Sequence, residues 1–369
     1  SKALEKAAKD LRLAVGIDAG RFSAGQLLER PEFAPALQGL LEEIARFAAI
    51  LETQAERAEG LEKCWQRAGE LVQRLSQWQQ QQPADAGYVY WGEAFTHSLQ
   101  LNATPLDVAN IFRKQMGGHP RAWIFTSATL AVQGKFHHYC AELGLGDPDS
   151  ACWHSPFDYG EQAVLYAPLG MPDPNAWNYT ESVVDAAWPA VKAAGGGAFF
   201  LCTSLRAMRR THELLKARLE DEGLDMPLLV QGEGSKNDLL QRFRHHGAAI
   251  LVGSQSFWEG VDVRGEALSL VVIDKIPFAP PDDPVLAARI EEMKKQGRNA
   301  FMEYQLPRAV INVKQGAGRL IRDETDKGVL MICDPRLTSK PYGRRVWQSL
   351  PPMKRTRELQ VVLDFFANR

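Results

Sequence analysis

Late in the chain Gln315, Arg319 and Arg322 are spaced by four and three residues, so a helix running through them would carry all three on one face. An amide beside two forked guanidinium groups suits a triphosphate, whose charge shifts as its terminal bond breaks. Gly316 and Gly318 would cost such a helix about 1 kcal/mol each relative to Ala, and close packing against a neighbour is a reason to retain them. The plainer reading is a solvated helix face with salt-bridged arginines. Three other segments follow short apolar runs and also carry chemistry. Thr126-Ser127-Ala128-Thr129, after Trp123-Ile124-Phe125, offers small hydroxyl side chains where a loop can approach another surface closely. Thr203-Ser204, after Phe199 to Cys202, offers hydroxyls and helix-start amides suited to phosphate. Gly253 to Asp262, after Ile250 to Val252, mixes Ser254 and Ser256 with the Trp258 ring and the carboxylates Glu259 and Asp262.

These segments gain meaning from the elements that precede them, because in open α/β sheets ligands gather at the carboxyl ends of the strands. From about Ala163 onward strands and helices alternate. The strands are Phe199 to Cys202, Leu228 to Val230, Ile250 to Val252, Leu270 to Ile273 and Val329 to Cys333. The helices between them are Leu205 to Glu222, Lys236 to Phe243, Val285 to Gln296 and Phe301 to Ile321. Such alternation predicts a parallel sheet covered by helices on both faces. Upstream, apolar residues from Leu37 to Trp78 recur at three- and four-residue steps, with a slip near Gly60, which fits a helical hairpin or one long rod. Between these regions lie strand candidates Tyr88 to Trp91 and Phe95 to Leu101, a helix from Asp107 to Met116, and a buried strand Trp123 to Phe125. The expected division is therefore a helical segment over 1–82, a sheet-edge piece over 83–131, and an α/β domain over 132–369.

With 43 basic and 45 acidic side chains the net charge is −2, so no global field announces a polyanionic partner and any nucleic-acid contact must be local. Arg336 to Arg357 is basic and could face phosphates or simply solvent. The five cysteines, Cys64, Cys140, Cys152, Cys202 and Cys333, form no C-x-x-C pair and encode neither a disulfide framework nor a zinc site, which suits a reducing cytoplasm. The longest apolar runs fall short of the ~18 residues a bilayer span needs. His137-His138 and His245-His246 are adjacent pairs that point to different sides of a helix, so neither is expected to bind metal.

Taken together and in order, these motifs resemble those of superfamily-two helicases, specifically the XPD/DinG branch of iron–sulfur DNA helicases. Thr126-Ser127-Ala128-Thr129 resembles motif III, Phe200 to Ser204 motif IV, Ser256 to Asp262 motif V and Gln315 to Arg322 motif VI. Ser155-Pro156-Phe157, Lys275-Ile276-Pro277-Phe278 and Cys333-Asp334-Pro335-Arg336 are also similar to segments of this branch. The resemblance implies a RecA-like second motor domain over 132–369, the trailing part of a first motor domain over 83–131, and part of an inserted helical Arch over 1–82. It implies that Gln315, Arg319 and Arg322 contact ATP phosphates, with Arg319 or Arg322 as the arginine finger. Glu259 and Asp262 would link nucleotide to DNA, Thr203, Ser204 and Ser256 would hold the DNA backbone, and Trp258 would either stack a base or pack in the core. Thr126, Ser127 and Thr129 would transmit the nucleotide state. The substrate would be single-stranded or forked DNA, travelled five-prime to three-prime, in repair or replication.

No G-x-x-x-x-G-K-[ST] occurs in the sequence, and Gly134-Lys135 is followed by Phe136. Gly195-Gly196-Gly197 precedes a strand instead of following one, as a helix-to-strand connection does. The resemblance places the P-loop, the Mg2+-binding acidic box and the four-cysteine 4Fe-4S site upstream of residue 1, so this polypeptide is expected to be inactive alone. A competing reading is a non-catalytic module that holds a protein. Trp347, Arg355, Thr356, Phe365 and Phe366 lie in a tail of aromatics beside basic residues, a composition typical of interface anchors. The resemblance offers the chi subunit of the DNA polymerase III clamp loader as partner. Against this, the last helix could simply close the sheet.

Overall fold

The computed structural model describes the chain apart from residues 1, 18, 81–86, 119–120, 133, 154, 255–256 and 258–266. The run begins α1 (Lys2–Leu13), β1 (Gly20–Ser23), α2 (Ala24–Leu28), α3 (Phe33–Glu52), α4 (Glu59–Gln80), β2 (Tyr88–Ala94), β3 (Leu99–Pro105) and α5 (Val108–Met116). It continues with α6 (His137–Leu143), α7 (Tyr159–Gln162), β4 (Ala163–Tyr166), α8 (Tyr179–Ala194), β5 (Ala198–Cys202), α9 (Leu205–Glu222), β6 (Leu228–Val230), α10 (Lys236–His246) and β7 (Ile250–Ser254). The last elements are β8 (Leu270–Ile273), α11 (Pro284–Lys295), α12 (Leu306–Ala317), β9 (Gly328–Ile332), α13 (Arg336–Ser339), α14 (Gly343–Ser349), β10 (Lys354–Thr356) and α15 (Leu359–Ala367).

Two compact units result: Ser1–Arg121 with Glu142–Leu145 and Ala279–Ala300, and Ala122–Ala141 with Gly146–Phe278 and Phe301–Arg369. This division differs from one made along the sequence, because α11 leaves its sequence neighbours. Its N-cap Asp283 accepts a hydrogen bond from Arg21 at 2.8 Å, and Arg21 also pairs with Glu93 at 3.2 Å and lies 5.0 Å over the Trp91 ring.

In the first unit α3 and α4 form a helical hairpin around Phe33, Leu37, Ile44, Ala68 and Trp78, so the break falls between Glu52 and Glu59 and not at Gly60. The Trp78 indole donates to the carbonyls of Trp91 and Asn102 at 3.3 and 3.1 Å, tying α4 to the antiparallel sheet β1-β2-β3.

The second unit is a RecA-like α/β layer. Its seven strands run in the order β10-β4-β9-β8-β5-β7-β6, every pairing parallel. Alternation along β5 assigns the two faces: Phe199 and Leu201 pack with α10, α12 and α14, while Ala198, Phe200 and Cys202 pack with α8, α9 and α15. Both faces are covered, so β4, β5, β8 and β9 are buried at every position. Gly195, Gly196 and Gly197 take φ of 67°, 91° and 56° and turn α8 into β5. A Cβ on Gly196 would lie 2.0 Å from the Ala248 carbonyl oxygen, so only glycine fits there.

Two expected elements differ. Trp123-Ile124-Phe125 is not a buried strand: Ile124 is 84% exposed and Trp123 44%. A strand needs a neighbour to satisfy its backbone, and none among the described residues pairs with this segment. The helix expected over Phe301 to Ile321 is a π turn, Phe301–Gln305, followed by α12, which ends at Ala317 with Gly318 as its cap. Pro307, lacking an N–H, sits in the first turn of α12, where no intrahelical donor is required.

Candidate functional site

The carboxyl ends of β5, β8 and β9 meet at two buried carboxylates. Asp274, immediately after β8, accepts the Thr203 amide on both oxygens and the Thr203 hydroxyl on one, all at 3.1 Å, and the Lys275 amide at 2.6 Å. The Tyr179 hydroxyl donates to the Asp274 carbonyl at 2.7 Å. Asp334, after β9, accepts the Ile276 amide at 2.8 Å and holds the Arg336 guanidinium at 2.7 to 3.1 Å. Burial pushes the Asp274 carboxyl up to about 6, with the Thr203 and Lys275 donors working against it. Burial likewise raises the phenol of Tyr179 and the thiols of Cys202 and Cys333. Asp274 was not among the residues singled out in the sequence, although an acid closing the apolar run Leu270 to Ile273 was a usable signal. Tyr179 gave none.

Thr203 therefore commits both its amide and its hydroxyl proton to Asp274. Of the expected pair, Ser204 is the exposed member. Its hydroxyl accepts the Ala207 amide at 3.1 Å as the N-cap of the 18-residue α9, which leaves its own proton available for donation. Arg206 and Arg209 follow, both exposed. A shallow groove of about 430 Å³ lies beside Arg209, lined also by Leu205, Met208, His212, Glu213, Gln231 and Gly232. At the end of β7, Ser254 donates through its amide and hydroxyl to the Gln231 side chain at 2.7 and 2.8 Å. Ser256, Trp258, Glu259 and Asp262 lie outside the described residues. Between them Phe257 is buried, with the Lys236 ammonium 5.4 Å from its ring.

Gln315, Arg319 and Arg322 do not share one helical face. Only Gln315 is within α12; Arg319 lies in the turn after Gly318, its amide donating to the Gly316 carbonyl at 3.1 Å. The Arg322 amide donates to the buried Asp326 carboxylate at 2.7 Å, and the Gln162 side-chain amide bonds the carbonyls of Asp323, Glu324 and Asp326 at 3.0 Å. A braced turn, not helical periodicity, thus fixes the two arginines, each half-buried. Next to it the Lys314 ammonium donates to the Ala131 carbonyl at 2.8 Å, joining α12 to the segment that follows Thr126-Ser127-Ala128-Thr129. Thr126 and Ser127 are exposed, and the Thr129 amide donates to the Ser127 hydroxyl at 3.2 Å.

In the tail, the Arg355 guanidinium lies 5.2 Å over the Trp347 ring and donates to its carbonyl at 3.2 Å. Thr356 belongs to the edge strand β10, and Phe366 is buried with Val362 against the α8 face of the sheet, with Phe365 partly so. Among the described residues no group of three or more His, Cys, Asp or Glu side chains could hold a metal ion. Among the described residues the cysteines do not gather as the ligands of an iron–sulfur cluster would: Cys202 and Cys333 are buried in the sheet, and Cys64, Cys140 and Cys152 are spread along the chain. No helix among the described residues is long and apolar enough to cross a membrane.

Residues 188–353 match the helicase C-terminal domain family. The chain is 41% identical over 365 residues to the ATP-dependent DNA helicase YoaA of Escherichia coli, an alignment covering 99% of this chain and 56% of that protein. It is 36% identical over 263 residues to the ATP-dependent helicase DinG of Mycobacterium tuberculosis, covering 69% and 38%. A solved XPD helicase structure superposes with a TM-score of 0.59 at 15% identity, over 96% of this chain and 62% of that one. The chain thus spans just over half the length of the YoaA proteins it matches.

Proposed function

The chain belongs to the XPD/DinG family of helicases, and from that membership we propose that it supplies the second motor domain of an ATP-driven DNA helicase working on single-stranded or forked DNA in repair or replication. The observation that carries the reading is the placement of the motif segments. Thr203-Ser204, Asp274-Lys275 and Asp334-Arg336 close adjacent or near-adjacent strands at one edge of an all-parallel sheet, and the Arg319–Arg322 turn enters β9 of that sheet. In this reading Ser204, Arg206 and Lys275 face the DNA backbone, Ser256 joins them, and Trp258 stacks a base. Arg319 and Arg322 place positive charge on the ATP phosphates, where it stabilises the transition state, Gln315 donates a hydrogen bond to them, and Glu259 and Asp262 couple the two ligands. Lys314 on Ala131 ties that turn to Thr126, Ser127 and Thr129. Travel is five-prime to three-prime. Mg2+ and a 4Fe-4S cluster would be held by residues other than these 369, as would the P-loop.

The test is ATP turnover, with and without single-stranded DNA, for this chain and for a longer version that contains a P-loop. Turnover by the longer chain alone, abolished by Arg319→Ala with DNA binding retained, is the expected result. A folded but inert longer chain would overturn the reading in favour of a binding module.

For a replisome partner such as the chi subunit, the stacked pair Trp347–Arg355 is an accessible part of the tail, next to Thr356 in sequence, whereas Phe365 lies with α15 on the other face of the sheet. Phe366 is too buried to be an anchor.

A further inference from the structure

The 16 residues of α8 and the 18 of α9 run side by side in one direction, registered by a ladder of charged pairs. Arg210 pairs with Glu181 at 2.8 Å, Arg218 with Asp185, and Glu222 takes hydrogen bonds from Lys192 and the Trp188 indole at 2.9 and 2.6 Å. That register brings the residues just before α8 level with Ser204, Leu205 and Arg206 at the start of α9. The loop entering α8 crosses the carboxyl edge of the sheet, from the end of β4 to Tyr179, whose hydroxyl is fixed on Asp274 beyond β8. Its last turn is braced by the Asn175 amide on the Asp173 side chain at 2.9 Å and the Ala176 amide on the Asp173 carbonyl at 2.8 Å. On this turn Trp177 is 92% exposed.

An indole left in water on a braced turn, at the sheet edge that also carries Lys275 and Arg206, is suited to a flat ligand that brings its own negative charge. The Lys275 ammonium lies 5.7 Å from the Tyr179 ring, two residues from Trp177, and Arg206 is exposed on the first turn of α9. We propose that Trp177 is a stacking platform for a nucleobase of single-stranded DNA whose phosphates run along Ser204, Arg206 and Lys275. The inference rests on the reading of this edge as a DNA interface and adds a contact to the bases from a segment outside the motifs, distinct from Trp258.

The experiment compares binding of an oligothymidylate with that of an abasic tract of equal length, using the chain itself, Trp177→Ala, Trp177→Phe and Arg206→Ala. Base stacking contributes enough that the thymidylate is expected to bind about tenfold more tightly than the abasic tract. Trp177→Ala is expected to remove that preference while leaving abasic binding unchanged, and Trp177→Phe to keep most of it. Arg206→Ala is expected to weaken both ligands equally. If Trp177→Ala binds both as the unaltered chain does while Arg206→Ala weakens both, the platform is overturned and the edge remains a phosphate site. An equal loss on both ligands in Trp177→Ala also overturns it, since a stacking ring cannot act on a tract without bases. No binding by the unaltered chain would overturn the DNA reading of the edge, and the platform with it.

Discussion

Asp274 shows what a single buried acid does at a strand end. Its two oxygens receive the Thr203 amide and hydroxyl and the Lys275 amide, which fixes the turn from β5 into α9. Desolvation outweighs these donors, and the carboxyl titrates at about 6 instead of 3.8. An acid whose folded pKa lies above its unfolded value stabilises the fold at low pH and loses that contribution as pH rises through the folded value. Here the window runs from 3.8 to about 6. Asp274→Asn has no such dependence, so the Tm of the variant minus that of the unaltered chain is expected to rise between about pH 4.5 and pH 7. Thermal unfolding across that range checks it, and a flat difference would show that Asp274 titrates as an ordinary exposed acid.

At the scale of elements, the tail is part of the sheet. Lys354, Arg355 and Thr356 pair in parallel with Val164, Leu165 and Tyr166, and α15 lays Val362 and Phe366 on the face that holds Tyr179 and Trp188. Removing Lys354 to Arg369 would strip β4 of a neighbour and uncover that face, so a lost protein contact after truncation would say nothing about the tail as a docking site. Phe366→Ala is expected to destabilise the chain by about 3 kcal/mol through the cavity it leaves. Trp347→Ala, which trims a half-buried ring packed on the core and stacked with an exposed arginine, is expected to cost less, about 1 to 2 kcal/mol. Urea unfolding of the two variants compares them directly. A partner that binds Phe366→Ala normally but loses Trp347→Ala would place its contact on the Trp347–Arg355 pair.

For the molecule as a whole, 43 basic side chains against 45 acidic ones leave no long-range attraction toward nucleic acid. In the proposed reading, DNA affinity would then depend on the few cations at the carboxyl edge of the sheet. If about three phosphates are neutralised there, log K is expected to fall with log salt at a slope near −2. Fluorescence anisotropy with a single-stranded oligonucleotide at several salt concentrations measures it. A slope several times steeper would mean that the basic stretch Arg336 to Arg357 also lies along the strand.

The alternation of apolar runs with helical periods was enough to write down the α/β layer, and β6, β8 and α9 have the bounds that the sequence predicts. Buried parallel strands are apolar at every position, so they stand out without any knowledge of their neighbours. The order of those strands, and therefore which motif segments share an edge, is not local information. The same holds for the Arg319–Arg322 turn, where a cap at Gly318 and the buried Asp326 override a helical spacing that the sequence alone would have extended. It holds again for Asp274 and Tyr179, 95 residues apart and joined by one hydrogen bond. Periodicity reports which face of an element is buried; only the packed sheet decides which distant polar groups must satisfy one another inside it.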